Sequence, residues 1–192
     1  MKNFGQKVKK ITRYELLWAI CHPLIASTAF EITQKAGQIA NEQINNPQLD
    51  GDYNGGQVDA FRHTLWMAML VQEIKPKAAK KLGIAHEKAN YLYFKRHKNE
   101  DGSIPDSISS QMDLQNNEIG LEIGQIYMGV DTNTLIQIVI RAVLDGKCFI
   151  IKKNELGELL DSENNIISQN DIKSKWLNNK VLVPSNYKKP KY

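Results

Sequence analysis

The chain has 192 residues, a hydrophobic content of 42% and a formal net charge of +4. This length and composition predict one domain with a substantial core, and two cysteines are too few for a disulfide-stapled secreted scaffold. The mildly basic charge is compatible with an anionic partner and does not require one.

The N-terminal half is predicted to be helical. Apolar residues at near-helical spacing predict a first helix over residues 7–21 and a second that ends near Ile44. The segment 47–56 predicts a loop, because it is rich in Pro, Gly, Asn and Asp. A third helix follows over residues 57–74, and Pro76 is placed to open a fourth.

The following stretch continues this pattern. Polar residues over 97–105 predict an exposed loop. Ser109 or Ser110 is predicted to cap a fifth helix that runs to about Met128. A sixth helix is predicted over residues 135–144, so most of the chain is helical.

Patterning weakens beyond these helices. Residues 147–152 predict either a short strand or a helix continuation, and residues 153–171 either pair with them or wrap the surface. The predicted fold is therefore mainly α: a single-domain bundle of about six helices with a minor β-hairpin near the C-terminus. Within it, residues 1–150 form the helical domain with the site, and residues 151–192 form a polar C-terminal extension.

Basic residues cluster near both ends of the sequence. One interpretation is a solvated terminus, and the other is attraction to phosphate on lipid or nucleic acid. The cysteines, Cys21 and Cys148, lie among apolar neighbours and are predicted to be buried reduced thiols. The basic residues are Lys2, Lys7, Lys9, Lys10 and Arg13 at the start, and Lys188, Lys189 and Lys191 at the end.

The first chemically distinctive motif is Asp59-Ala-Phe-Arg-His63. Asp59 and His63 are four residues apart on a predicted helix, so the carboxylate can orient the imidazole or share a cation with it. Arg62 can pair with Asp59 or bind a substrate phosphate or carboxylate. Trp66, one turn further, either walls a pocket or joins the core. The plainer alternative is a surface set of charged side chains at ordinary helical spacing.

His86 and Glu87 form the second motif. Adjacent helical residues do not share a face, so one can enter a cleft while the other pairs behind it. The HExxH zinc signature requires a histidine where Asn90 stands, which excludes a protease of that class. Each of the two residues is a candidate base or ligand.

Asp113, Asn116 and Asn117 form the third motif. Asparagine is a poor helix former, so two adjacent asparagines in mid-helix indicate a hydrogen-bonding role. Asp113 and Asn117 point to one groove, and Gly120 and Gly124 would let another helix approach closely. The structural alternative is a buried polar network that joins helices.

These three motifs, in this order, resemble a bacterial helical domain of undefined function that carries AFRHA-W, AHE and MDL-NN--G blocks. The resemblance covers about residues 20–125, and Thr64 stands where that family commonly has alanine. The domain occurs in wall-associated and polymorphic toxin proteins, so the resemblance implies a bacterial effector or toxin module. It marks Asp59, Arg62, His63, His86, Glu87, Asp113, Asn116 and Asn117.

The residues themselves predict a metal-dependent hydrolase. The predicted ligands of a divalent metal are Asp59, His63, His86 and Asp113, with Glu87 as an alternative to His86. Mixed nitrogen and oxygen ligands suit zinc, although manganese or iron also fit, and the metal would activate a water near neutral pH. The predicted catalytic residues are Glu87, His86 and Arg62, and the predicted substrate-binding residues are Arg62, Asn116, Asn117 and Trp66.

The predicted substrate is an anionic phosphodiester, a membrane phospholipid ahead of a nucleic acid, because of Arg62 and the basic termini. One alternative is metal-free acid–base hydrolysis of cell-wall glycan or peptide, with Glu87 and either Asp59 or Asp113 as the paired carboxylates. The other is a non-catalytic binding module whose buried polar network fixes the helix register.

The localisation is predicted from the apolar stretch 16–30 and from the resemblance. The stretch begins late, His22-Pro23 interrupts it, and it is too short for an ordinary transmembrane helix, so we expect two core helix segments and no cleavable leader. A bacterial effector of this type would be made in the cytoplasm, exported by a dedicated secretion system and neutralised by an immunity protein.

Overall fold

The computed structural model describes residues 11–100 and 104–191 of the chain, and these residues form a mainly helical bundle with a small two-stranded sheet near the C-terminus. The predicted fold class is therefore confirmed. The helices are α1 (Arg13–Cys21), α2 (Ala26–Glu42), α3 (Gln57–Glu73), α4 (Pro76–His97), α5 (Ser107–Ile126), α6 (Thr132–Leu144) and the short α7 (Gln169–Ile172), and the strands are β1 (Phe149–Ile151) and β2 (Leu182–Pro184).

Helix α3 lies at the centre of the bundle. Thirteen of its 17 residues are buried, and it packs against α2, α4, α5, α6 and β1. A helix that is buried on nearly every side needs partners all round, which explains its long apolar run. Asp59 and His63 lie on this helix and are themselves buried, so the predicted site begins inside the bundle rather than on its surface.

Two glycines allow α5 to lie against α3 almost backbone to backbone. A Cβ atom at Gly120 would stand 2.3 Å from the carbonyl oxygen of Thr64, and one at Gly124 would stand 2.7 Å from that of Ala68. Only glycine permits this spacing, so the close helix approach predicted from the glycine pair is confirmed. The contact sets how near the polar residues of α5 come to those of α3.

Helix α1 begins with a reciprocal cap between Thr12 and Glu15. The Glu15 amide donates to Thr12 Oγ1, and the Thr12 amide donates to Glu15 Oε2. The start of this helix was predicted at residue 7, which lies outside the described residues, as do Lys2, Lys7, Lys9 and Lys10. The predicted loop over 97–105 also falls partly outside them, at residues 101–103.

The predicted cap of α5 was wrong. Asp106, not Ser109 or Ser110, is the N-cap, and it accepts from the amide of Ser109, whose hydroxyl accepts from the amide of Asp106. Asp106 also accepts from the ammonium of Lys180 and the amide group of Asn178, which belong to the C-terminal extension. These tertiary bonds explain why an acid takes the cap position.

Replacing Asp106 with alanine is expected to lower the free energy of unfolding by about 3 kcal/mol, because it removes a cap and one partner of a buried ion pair. Burial raises the pKa of Asp106, but Lys180 and the cap bonds outweigh burial and hold that pKa below its ordinary value. The ion pair therefore stabilises the fold above the unfolded-state pKa, and its contribution is lost as pH falls through the folded-state pKa.

Urea unfolding of Asp106→Ala and Asp106→Asn across pH checks this expectation. Asparagine keeps the cap and loses only the charge, so Asp106→Asn should cost less at neutral pH and approach the wild type in acid. Asp131→Ala, at the solvent-exposed cap of α6, is the matched control and should cost about 1 kcal/mol. A neutral-pH loss at Asp106 no larger than at Asp131 would contradict the buried pair.

Strand β1 takes a different partner from the one predicted. Residues 149–151 form the strand alternative, but they pair antiparallel with residues 182–184 rather than with residues 153–171. The latter segment instead makes two isolated bridges, Lys153 with Leu159 and Leu160 with Ile166. Leu160 is fully buried, so this polar-looking segment contributes to the packed interior.

The cysteine prediction holds for one residue and fails for the other. Both thiols are free, and Cys148 is buried, whereas Cys21 is exposed at the end of α1. Burial raises the pKa of Cys148 to about 11, which keeps it a thiol near neutral pH. Among the described residues, no helix has both the length and the apolar character that crossing a bilayer requires.

Candidate metal centre

Asp59, His63 and Asp113 meet where α3 faces α5. His63 Nε2 lies 3.2 Å from Asp113 Oδ1 and 3.7 Å from Asp59 Oδ1, and one ligand atom from each of the three residues falls within 4.8 Å of the others. All three side chains are buried. The structure thus brings together two motifs that are separated by 50 positions in the sequence.

These separations suit a shared cation. Ligand atoms that lie 2.0–2.1 Å from a tetrahedral zinc ion stand about 3.3 Å apart. The distances of His63 Nε2 to the two carboxylates bracket this value. One imidazole nitrogen and two carboxylate oxygens also form a donor set that zinc, manganese and iron accept.

Arg62 supplies positive charge next to this group. Its Nη2 atom donates to Asp59 Oδ1 and lies 2.8 Å from His63 Nε2, and its guanidinium carbon lies 4.7 Å from the ring centre of Tyr53. Burial lowers the pKa of Arg62, but Asp59, Tyr53 and Asp113 outweigh burial and raise that pKa above its ordinary value. Arg62 therefore stays charged and is 29% exposed at the edge of the group.

His63 Nε2 faces groups with opposite requirements. With a proton on Nε2, the ring can donate to the carboxylate of Asp113 but opposes the N–H groups of Arg62. With a lone pair on Nε2, the ring can accept from Arg62 but then faces a carboxylate oxygen at 3.2 Å. A cation held jointly by Nε2 and the two carboxylates would satisfy all three ligand atoms and leave Arg62 to bind elsewhere.

A tight turn before α3 fixes Asp59. Gly55 has φ of +87°, a conformation that favours glycine, and its amide donates to Asp59 Oδ2 at 2.7 Å. A Cβ atom at Gly55 would also lie 2.8 Å from Ile151 Cδ1. Burial raises the pKa of Asp59 despite the opposing effects of Arg62 and the Gly55 amide, so this carboxylate would gain from a cation beside it.

A polar cleft of about 400 Å³ opens beside the three residues. It brings residues of α3, α4 and α5 together with the C-terminal extension. The extension contributes Lys153 and Lys180, which pair with Asp52 and Asp106 respectively. Sequence reasoning missed both lysines, since nothing in their local pattern indicates a site. The charged and histidine side chains that line the cleft are Asp59, Arg62, His86, Asp113, Lys153 and Lys180.

His86 lies in the cleft wall, and Glu15 of α1 orients it. His86 Nδ1 lies 2.8 Å from Glu15 Oε1, and the His86 ring centre lies 6.3 Å from that of His63. Burial raises the pKa of Glu15, but its bonds to His86 and Thr12 outweigh burial and lower it to about 2. Sequence reasoning missed Glu15, which is 71 positions from its partner.

The structure resolves the alternative between His86 and Glu87. His86 lines the cleft, whereas Glu87 is buried behind it and accepts from the side-chain amide of Asn90. His86 is not part of the ligand cluster that Asp59, His63 and Asp113 form within the described ranges. It had been predicted as a ligand, and its bond to Glu15 instead gives it the arrangement of an oriented acid or base.

Asn116 and Asn117 have different surroundings. Asn116 is fully buried, and its amide group both donates to and accepts from the backbone of Phe149, at 2.9 Å each. This pairing joins α5 to β1 and occupies the amide that had been predicted to bind substrate. The Asn117 amide is buried against Gly83 of α4, where a Cβ atom would lie 3.0 Å from its Nδ2.

Trp66 walls a second cleft rather than the polar one. Its indole nitrogen donates to Thr33 Oγ1 at 2.9 Å, and its ring centre lies 5.4 Å from that of His86. The ring therefore separates the bundle interior from a groove between α1, α2 and α4. A pocket wall was one of the two roles predicted for this tryptophan.

Residues 16–147 match the family described as "Domain of unknown function (DUF6973)". The match spans the three motifs and helices α2 to α6, further than residues 20–125 to which the predicted resemblance extended. Glu15, Lys153 and Lys180 lie outside it. No curated protein and no solved structure matches the chain. Association with toxins stays a prediction.

Proposed function

We propose that this chain, which belongs to the DUF6973 family, is a metal-dependent hydrolase of phosphodiesters whose metal is held by Asp59, His63 and Asp113. The observation that carries the proposal is the approach of three ligand atoms to within 4.8 Å of one another beside an open cleft. Zinc is the metal we favour, because mixed nitrogen and oxygen ligands in a buried set suit it. Bound there, it would lower the pKa of a water and activate that water as a nucleophile.

The cleft residues supply the remaining groups of a hydrolysis. His86, oriented by Glu15, accepts the proton of the attacking water through its other ring nitrogen. The water oxygen forms a new bond to phosphorus, the ester P–O bond breaks, and the leaving oxygen takes a proton. Arg62 is placed to bind the non-bridging phosphate oxygens through its planar donors. Glu87, buried behind His86, serves as a support rather than as the base.

The biological setting we propose is an antibacterial effector. The order and spacing of the three motifs support it, and it carries the expectation of an immunity protein and of export through a dedicated secretion system. A membrane phospholipid is favoured over nucleic acid as the substrate. In neither case do the basic residues alone decide the matter, since Lys153 and Lys180 are already paired with acids.

A chelation experiment tests the proposal. The purified chain should hydrolyse a chromogenic phosphodiester and anionic phospholipid vesicles, lose that activity with a strong chelator and regain it with added zinc. Activity that survives complete chelation would overturn the metal-dependent mechanism and favour acid–base hydrolysis, with cell-wall glycan or peptide as the next substrates to assay. Absence of hydrolysis on every substrate, with or without zinc, would favour a binding module.

Replacing Glu15 with glutamine is expected to lower kcat about 10- to 100-fold while zinc binding is retained, because His86 loses the carboxylate that orients it. Glutamine still completes the helix cap with Thr12, so the fold should be kept. Steady-state kinetics and zinc titration check this. Glu31→Gln, an exposed acid on α2, is the matched control and should leave kcat unchanged. Equal kcat in the two variants would remove Glu15 from the mechanism.

A further inference from the structure

A second cleft lies against the polar one. It has a volume of about 560 Å³, and its walls come from α1, α2 and α4. The walls are mainly apolar, with Trp18, Ala29, Phe30, Trp66 and Leu82 among the side chains that form them. We call this cleft the apolar groove. Its volume falls within the range of about 300–1,000 Å³ that is typical of small-ligand sites.

The apolar groove and the polar cleft share part of their walls. His86, Asn90 and Pro105 line both. His86 is the proposed proton acceptor, so one side of the groove ends next to the proposed reacting centre. A molecule that filled both cleft and groove would therefore need an anionic head and an apolar tail joined end to end.

The mouth of the apolar groove is flanked by exposed apolar side chains at the corner between α1 and α2. Leu24 is 96% exposed, Ile20 is 65% exposed, and Leu16 and Leu17 are each about half exposed. Single exposed leucines are ordinary, but several on one short stretch of chain indicate a surface that contacts something apolar. Arg13, exposed at the start of α1, adds positive charge beside them.

We propose that the apolar groove binds one acyl chain of a membrane phospholipid and that the α1–α2 corner rests on the bilayer surface. This inference depends on the proposed function, because it assigns the tail of the same substrate. Three features favour a lipid: the groove is continuous with the polar cleft, the apolar corner lies at its mouth, and Arg13 complements an anionic membrane. A folded protein partner would account for the exposed corner but not for a groove that leads to the ligand triad.

Fluorescence quenching with brominated lipid tests the inference independently of catalysis. The sequence has three tryptophans, of which Trp18 and Trp66 line the groove, while Trp176 packs with Tyr91 and Phe94. The full-length Trp176→Phe variant therefore reports only on the groove. Vesicles of phosphatidylglycerol and phosphatidylcholine with dibrominated acyl chains should quench its emission in the presence of a chelator, and unbrominated vesicles should not.

Leu24→Asp should weaken vesicle binding at least tenfold, since withdrawing a leucine from an apolar medium costs at least a factor of ten. Leu177→Asp, a 76% exposed leucine remote from the groove, is the matched control and should bind as the wild type does. Vesicle binding without quenching, equal loss in both variants, or a dimer in solution that Leu24→Asp dissociates would overturn the inference. Because a chelator is present throughout, failure of the metal-dependent hydrolysis would leave these results unchanged.

Discussion

Zinc is expected to raise the melting temperature of the wild-type chain and to have no effect on His63→Ala. A ligand at 100 times its dissociation constant adds about 2.7 kcal/mol of stability, which is worth roughly 5–10 °C for a chain of this size. His63 Nε2 lies between the two carboxylates, so its removal leaves two acids that no longer share a central donor. Differential scanning fluorimetry across a zinc series measures the effect.

The control for this experiment is His97→Ala, which removes a histidine near the end of α4 that stacks on Tyr93. The variant should keep the full zinc response. In metal-free buffer, His63→Ala and Asp113→Asn also distinguish the alternatives. Relief of buried like charges should hold or raise the melting temperature if the cluster is a functional site. A sharp fall in metal-free buffer, with no zinc response in the wild type, would identify a purely structural network.

Replacing Gly120 with alanine is expected to destabilise the fold by about 3 kcal/mol, at the upper end of the usual cost of overpacking. The added Cβ would lie 2.3 Å from the carbonyl oxygen of Thr64 and 2.8 Å from Met67 Cβ, so α5 must move away from α3. Separation of these helices also moves Asp113 from His63. We therefore expect weaker zinc binding as well as a lower free energy of unfolding, measured by urea titration with and without zinc.

Gly37→Ala is the matched control, because a Cβ atom at this position on α2 meets nothing within 4 Å. Alanine is the better helix former, so this variant should gain about 0.5–1 kcal/mol. If Gly120→Ala instead matched Gly37→Ala in stability, the close contact of α3 with α5 would be wrong, and the geometry of the ligand triad would be wrong with it.

The helices could be predicted from the sequence because their apolar residues recur at helical spacing. The same spacing placed Asp59 and His63 on one face of α3, since four residues make one turn. The approach of Asp113 could only be guessed from its motif. The contact depends on Gly120 and Gly124, whose small size permits close packing without specifying the partner helix.

Other features of the site depend on partners that local sequence does not indicate. Glu15 reads locally as a cap residue of α1, and its bond to His86 exists only because α1 packs on α4. Asn116 reads as a candidate binding group, yet Phe149 of β1 occupies it. Asp106 replaces the expected serine cap because Lys180 reaches it from 74 positions away. In each case a tertiary contact overrides the local pattern.

The zinc content of the purified full-length chain tests the central claim most directly. After reconstitution and dialysis against metal-free buffer, elemental analysis should find one zinc per wild-type chain, one per chain in Glu118→Gln, an acid of α5 paired with Lys80, and none in Asp113→Asn. Only trace zinc in the wild type, or equal zinc in Asp113→Asn, would contradict a metal centre formed by Asp59, His63 and Asp113.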